Sequence, residues 1–370
     1  MLTRYSIDEL VIPATLDGPG GDDFRAMVRL RNLIESQSAG TTELEPSAEL
    51  LLQRWNNQQF DPQRMFLARV GREVIGRALY MWPAEADGAH IAELSVEVHP
   101  DWRSRGIGSA LLQTIEGEAR RDGRRVLECW AMHGPPAGSL TPPTGFGRVD
   151  ESRPEVRFLL ANEYTLEQVE RISRLALPAS GLEDMRADAA GHATGYRIVQ
   201  WVGAVPDEWV ADAAALHERM ATDAPSAGID VGEEQWSAER LRAYREQYER
   251  AGERLVSTAA VHEASGRLVG YSDLAVPLDT DRAATQEDTL VLVEHRGHRL
   301  GMLLKIANLL QLEELSPRTA AVATFNAEEN RPMLSVNEAI GFTPIGTEGA
   351  WKKPLSAPSG SSDSGATSGS

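Results

Sequence analysis

The sequence predicts a mixed α/β fold, a sheet covered by helices, built twice in tandem. Three observations carry that prediction. Pro13 and Pro206 each stand between an apolar, strand-like run and a helical pattern, and they lie 193 residues apart. Arg103-Ser104-Arg105-Gly106-Ile107-Gly108 and Arg296-Gly297-His298-Arg299-Leu300-Gly301 share that spacing of 193. A common offset between distant features with the same local grammar marks an internal repeat, and its length makes it a domain duplication rather than a solenoid. Within each copy, segments of strand period and helix period follow one another in the same order.

The expected boundaries are an N-terminal domain over 1–177, a connection over 178–194 and a C-terminal domain over 195–354. The connection is rich in Ala, Gly and Asp. Residues 355–370 include seven Ser and three Gly; too little apolar surface is present to offset the entropy of ordering them, so a disordered tail is expected.

In the first copy, 5–12 is strand-like, and 24–36 and 48–55 have helical spacing. Residues 64–70 and 73–81 flank Gly71-Arg72 as a hairpin, and 91–98 is a further strand. Helix 106–121 follows, with Ile107, Leu111, Leu112 and Ile115 on one face, then strand 126–131. In the second copy, 196–202 is a strand and 207–220 and 238–250 are helices. Residues 255–262 and 268–276 form a hairpin through Ser265-Gly266, and 288–293 is a strand. Helix 301–314, strand 319–325, helix 330–340 and a strand-like end complete it. Residues 167–174 fit a helix by charge spacing and an edge strand by alternation.

Composition narrows the function. The chain is 42% hydrophobic and 25% charged, an ordinary globular profile that excludes collagen, coiled-coil rods and a wholly disordered chain. The formal charge of −18 repels phosphate backbones and anionic lipid, so neither nucleic acid nor membrane is expected as a partner. A small amine is the friendlier ligand. Cys129 is the single cysteine, which excludes an intrachain disulfide and a Cys-based zinc site. The amino terminus carries acids where a signal peptide needs an apolar run, and no stretch approaches ~18 apolar residues, so a cytoplasmic location is expected. A monomer or homodimer is expected.

The segment that carries chemistry is Leu94 to Leu112. A strand runs into a short loop, and glycines open a helix whose first N–H groups have no partner within it. Those groups and the positive end of the helix dipole make a cradle for a pyrophosphate. Gly106 and Gly108 let a phosphate approach the main chain, and Arg103 and Arg105 add positive charge. The run departs from the dinucleotide G-x-G-x-x-G fingerprint and lacks the Lys-Ser/Thr of a nucleoside-triphosphate loop.

"VHPDWRSRGIGSALL" resembles the acetyl-coenzyme A motif of the GNAT-type N-acetyltransferases. "VLVEHRGHRLGMLLK" in the second copy is similar, as is "NAEENRPMLSVNEAIGF", which looks like the family's late helix. The resemblance covers both halves and implies two tandem acyl-CoA N-acyltransferase domains. Carried over residue by residue, it implies that Arg103, Ser104, Arg105, Gly106, Ile107, Gly108 and Ser109 bind the pyrophosphate of acetyl-CoA. Val96, Glu97 and Val98 would pair with its pantetheine arm. In the second copy the matching residues are Val291, Arg296, Gly297, His298, Arg299 and Gly301, with Asn330 at the start of the late helix. Arg299 stands where the first loop glycine belongs. The implied residues 167–174 then read as a strand.

The family often places a tyrosine five residues before the late Phe or Tyr, as acid for the departing thiolate. Counting back from Phe342 gives Asn337, which could hydrogen-bond the sulfur, and counting back from Tyr164 gives Leu159. A thiol pKa of about 8.5 leaves the thiolate needing little help at neutral pH. The amine is the harder partner: with a pKa near 10 it must lose a proton, at a cost of about 4 kcal/mol, before it can attack. A strand carboxylate meets that need, and the candidates are Glu93 and Glu97, with Glu287 and Asp288 in the second copy. The expected reaction is direct transfer of acetyl from acetyl-CoA to a primary amine of a small molecule, with no metal. The alternative is a non-catalytic CoA-binding module with degenerate sites. Cys129 reads as a core thiol, Trp82 and Trp130 as core rings, and His295 and His298 as phosphate contacts rather than metal ligands.

Overall fold

The computed structural model describes residues 4–355 apart from 57, 60–61, 84–88, 224, 231–234 and 280–281. Beyond Leu355 the expected tail lies outside the described residues. The first copy runs β1 (Ser6–Glu9), α1 (Gly21–Ala39), α2 (Ala48–Trp55), β2 (Gln63–Val70), β3 (Glu73–Met81) and β4 (Ile91–Val98). It continues through α3 (Ile107–Arg121), β5 (Val126–Gly134), α4 (Pro154–Ala161) and β6 (Thr165–Ala176). After α5 (Leu182–Gly191), the second copy repeats the plan with β7 (Tyr196–Val202), α6 (Val210–Asp223), α7 (Ala238–Arg250), β8 (Glu253–His262) and β9 (Arg267–Pro277). It ends with β10 (Ala284–Val291), α8 (Leu300–Leu315), β11 (Ala321–Ala327), α9 (Arg331–Ile340) and β12 (Thr343–Pro354). Among the described residues no helix is long and apolar enough to cross a membrane.

Local chemistry explains several element ends. Ser47 caps α2 by accepting from the Leu50 N–H at 3.1 Å, and Ser237 caps α7 in the same way. The β2–β3 hairpin turns at Gly71 and the β8–β9 hairpin at Gly266, both at positive φ. Four readings need correction. Helix α4 was not anticipated; Pro154 opens it, and its short apolar face packs Val156 and Leu159 into the core. Residues 167–174 lie in β6, the strand that the resemblance implied, but it is interior to the sheet rather than at an edge. Strand β10 begins at Ala284, four residues before the expected start, because small Ala284 and hydrogen-bonded Gln286 are buried there in place of large apolar residues. The connection over 178–194 carries α5, whose Ala189 packs with Leu300, Leu303 and Leu304 of the second half.

The strands form one sheet in the order β1-β2-β3-β4-β5-β12-β6-β11-β10-β9-β8-β7. That order is symmetric about its middle, as a duplication requires, but the last strand of each copy has crossed to the other. β12 pairs antiparallel with β5 of the first copy, β6 pairs antiparallel with β11 of the second, and β6 and β12 pair with each other. The cores follow the exchange. Trp351 of β12 lies among Leu94, Leu111 and Leu127 of the first half, and Leu175 of β6 lies among Leu274, Ile306 and Val322 of the second.

Candidate active site

Strands β4 and β5 pair in parallel only from Ile91–Val126 to Leu94–Cys129 and then diverge. Into that opening falls a cavity of about 520 Å³. Leu94 to Val98 of β4 form one wall, and Cys129 to Met132 of β5 form the other. Leu112 of α3, Phe158 and Leu159 of α4, and Tyr164 add apolar surface, while Glu35 and Gln37 come from α1. Glu348 arrives from β12.

One end of the cavity is the loop that opens α3. Ser104 (φ +58°) and Gly106 (φ +79°) are both left-handed, in the turn that precedes α3, whose first N–H groups have no partner within the helix. No acidic residue sits in the first turn of α3 to compete for them. Arg103 is tied back by its Nε to the Val98 carbonyl at 3.1 Å, and it faces the cavity with Ser104, Gly106, Gly108 and Ser109. This surface offers unpartnered main-chain N–H groups and a guanidinium to an anionic group. Two expected contacts stand elsewhere. Arg105 turns outward, its guanidinium 4.8 Å above the Trp102 ring, and the Ile107 side chain is buried in the core, so that Ile107 can offer only its main chain.

At the other end the site is acidic. Glu97, expected as a base, is gripped by Arg77, which donates from Nε at 2.6 Å and from Nη2 at 2.8 Å. That guanidinium holds the Glu97 carboxyl below its ordinary range although burial pushes the other way. Glu93 lies opposite Glu128, one register step behind the point where the strands part, and is not among the residues lining the cavity. Burial, reinforced by Glu128, raises its carboxyl to about 7. Burial raises Glu348 further, to about 8, with Glu170, Glu35 and Glu93 adding like charge and Arg31 opposing them. Glu155 is held down at about 2 by His133 and Arg153 against the effect of its burial.

Cys129 is buried, as expected, but it also lines the cavity, and burial next to Glu93 and Glu348 raises its thiol to about 12. Trp82 packs on Tyr80 with ring centroids 4.8 Å apart, whereas Trp130 lines the cavity. Leu159 occupies the position where the resembling family often has an acid, and it faces the cavity. Tyr164 also faces it, with its hydroxyl donating to Glu116 Oε1 at 3.3 Å.

The second half repeats the backbone but changes the side chains. Gly297 (φ +88°) and Arg299 (φ +54°) take the two left-handed positions, and Arg296 Nε donates to the Val291 carbonyl at 3.0 Å, mirroring Arg103 and Val98. The Arg299 side chain points to α5, where it pairs with Asp188. His298 packs on Tyr196, and the Tyr196 hydroxyl shares a hydrogen bond with His295 Nδ1 at 2.9 Å. Lys305 is the residue 193 positions after Leu112 on the matching helix; it is buried over the Phe342 ring, and desolvation lowers its ammonium to about 7. Asn337 donates to Asn326 Oδ1 at 2.6 Å and leaves its own buried Oδ1 without a partner. Asn330 caps α9. Glu287 is buried beside Arg54 and Tyr248, and Asp288 accepts from the Tyr271 hydroxyl at 3.1 Å. The second-half candidates therefore do not meet Glu93 and Glu97 in one site.

Sequence reasoning missed Glu35 and Glu348. Glu35 sits at the end of an amphipathic helix with nothing local to distinguish it. Glu348 belongs to the second copy by sequence, and only the strand exchange brings it to the first.

Comparisons with known proteins agree with the fold. Residues 28–136 match the model of the Acetyltransferase (GNAT) family. The chain is 28% identical over 347 residues to a mycothiol acetyltransferase from Thermomonospora curvata, spanning 90% of this chain and 99% of that protein. Among solved structures, a tandem GNAT protein from the clavulanic acid biosynthesis pathway superposes with a TM-score of 0.70 at 26% identity, over 95% of this chain and 98% of that one. A GCN5-related N-acetyltransferase from Sphaerobacter thermophilus shares the fold, with a TM-score of 0.61 at 14% identity over 95% of each chain.

Proposed function

We propose that this chain, which matches the GNAT acetyltransferase family over residues 28–136 and shares the build of a tandem GNAT protein, transfers acetyl from acetyl-CoA to a primary amine of a small molecule in the cavity of its N-terminal half. The observation that carries the reading is the cavity itself: it joins an anion cradle at the start of α3 to a cluster of carboxylates across the opening between β4 and β5. Acetyl-CoA supplies the activated acyl group. Arg103, Ser104, Gly106, Gly108 and Ser109 would hold its diphosphate. The main chain of β4 beyond Leu94, free of β5, would align the pantetheine arm, and its N–H groups would polarise the thioester carbonyl.

The carboxylates suit the acceptor. A chain with a formal charge of −18 draws cations, and an acidic pocket holds an ammonium close to groups that can take its proton. The polar contents of the second half support a single productive site: Lys305 stands where the first half has the cavity residue Leu112, and Asn337 stands where it has Leu159. Release of thiol from acetyl-CoA in the presence of a panel of primary amines tests the reading. Acetylation of amines is expected, and preference for neutral hydroxyl acceptors over every amine would overturn the assignment.

A further inference from the structure

We propose that Glu348, on the exchanged strand β12, is the catalytic base for the acceptor amine in the N-terminal cavity, so that this site is complete only with a residue from each half. The inference rests on the amine-acetylating reading above. Four carboxylates line the cavity: Glu35, Glu97, Glu155 and Glu348. Three of them are committed. Glu35 pairs with Arg31 at 2.6 Å, Glu97 with Arg77 at 2.6 Å and Glu155 with Arg153 at 2.5 Å. The Glu348 side chain alone of the four makes no hydrogen bond or ion pair among the described residues. Arginine pairing holds Glu97 and Glu155 below their ordinary range, and Glu35, although burial raises it, has a carboxylate oxygen occupied by Arg31, whereas a bare carboxylate in a half-dry pocket keeps its lone pairs free to take a proton.

Its placement is built into the sheet. Glu348 lies opposite Glu170 on β6 and Met132 on β5, at a break in register where Thr347 pairs with Gly134. Such bulges re-aim a side chain out of the regular alternation. The charged and titratable groups around it are Glu35 and Arg31 from α1, Glu93 from β4, Cys129 from β5 and Glu170 from β6. Their balance is negative, which favours a cationic ligand in contact with Glu348. The Glu93 side chain also makes no hydrogen bond or ion pair among the described residues, but its position behind the parting of the strands puts it outside the lining, where it adds to the field rather than touching the acceptor.

Glu348 takes one proton from the bound ammonium, giving the neutral amine. The nitrogen then bonds to the acetyl carbonyl carbon as the carbon–sulfur bond breaks. Coenzyme A leaves as the thiolate and receives the second N–H proton, and Glu348 returns its own to solvent.

The test uses the full chain with acetyl-CoA and three probe acceptors: ethanolamine, 1,4-diaminobutane and glucosamine. Thiol release is followed from pH 6 to 9.5. Glu348→Gln is expected to lower kcat by about 10²–10³-fold, with KM for acetyl-CoA and the CoA-induced rise in Tm unchanged. The wild-type rise in rate through about pH 8 should flatten in that variant, and Glu348→Asp should restore part of the rate and of the slope. Wild-type kcat and pH profile in Glu348→Gln would overturn the assignment of the base alone. A variant that no longer responds to CoA would overturn it in favour of a structural role. Wild type that binds CoA and acetylates none of the three amines would overturn the amine-acetylating reading, and the base with it.

Discussion

Arg77 on β3 grips Glu97 on β4 through two parallel hydrogen bonds, with both side chains almost wholly buried (5% and 11% exposed). The pair converts a strand carboxylate that reads as a general base into a structural anion. Removing only the cation leaves a buried charge with no partner of that quality. Arg77→Leu is therefore expected to destabilise the chain by about 3–5 kcal/mol, and the double variant with Glu97→Leu to recover much of that loss, measured by urea unfolding. The sign with pH follows from the depressed carboxyl of Glu97. Its stabilisation is present above the unfolded-state value and lost as pH falls through the folded one, so the gap between wild type and Arg77→Leu should narrow in acid.

Coenzyme A should raise the melting temperature of the whole chain. Ligand at 100 times its dissociation constant stabilises by about 2.7 kcal/mol, which is a shift of several degrees. Gly106→Glu should remove most of it, because that position has φ +79° and a carboxylate there would meet the phosphates. Arg299→Gly should leave the shift in place. A shift kept in Gly106→Glu and lost in Gly301→Glu would instead assign the coenzyme to the second half.

Glu348→Gln should also change stability in a direction that identifies the ionisation. The folded carboxyl is raised to about 8, so the folded state holds its proton more tightly than the unfolded state. Stability from this group is complete below the unfolded value near 4.5 and is lost as pH rises through about 8. The variant has no such loss. Its Tm relative to wild type should therefore climb between pH 5 and 8.5, by about 2–6 °C after allowing for partial exposure, and then level off.

Trp351 tests the strand exchange. It is fully buried on β12 and donates its indole N–H to His133 Nε2 of β5 at 3.1 Å. Trp351→Ala should cost about 3–5 kcal/mol and weaken CoA binding in the N-terminal half, although the substitution lies at the far end of the chain. If only the C-terminal half loosens, as read by hydrogen exchange of β5 against β11, the exchanged strand does not support the first site.

The sequence alone determined the repeat, the order of most strands and helices, and the glycine loop that opens α3 at Arg103 to Gly108. These are local properties. Periodicity is set by which face of an element meets a core, and a glycine turn before an amphipathic helix carries its own backbone geometry. Even the departure at Arg299 was legible as a departure, because it breaks a pattern within six residues; its outcome was not, since the pairing with Asp188 spans 111 positions. Helix α4 escaped because eight residues with one proline give too short a period to read.

Which carboxylate is tied and which is bare was decided only by tertiary structure. Glu97 and Glu93 look alike on β4, yet register sets one against Arg77 and the other against Glu128. Glu348 has no local sign of function at all. It enters the first cavity because β6 and β12 change places in the sheet, a choice made by strand pairing between segments about 180 residues apart. Hydrophobic period fixes that a segment is a strand and which of its faces is buried. It says nothing about which neighbour the edge will find, because the hydrogen-bonding groups of every strand edge are the same.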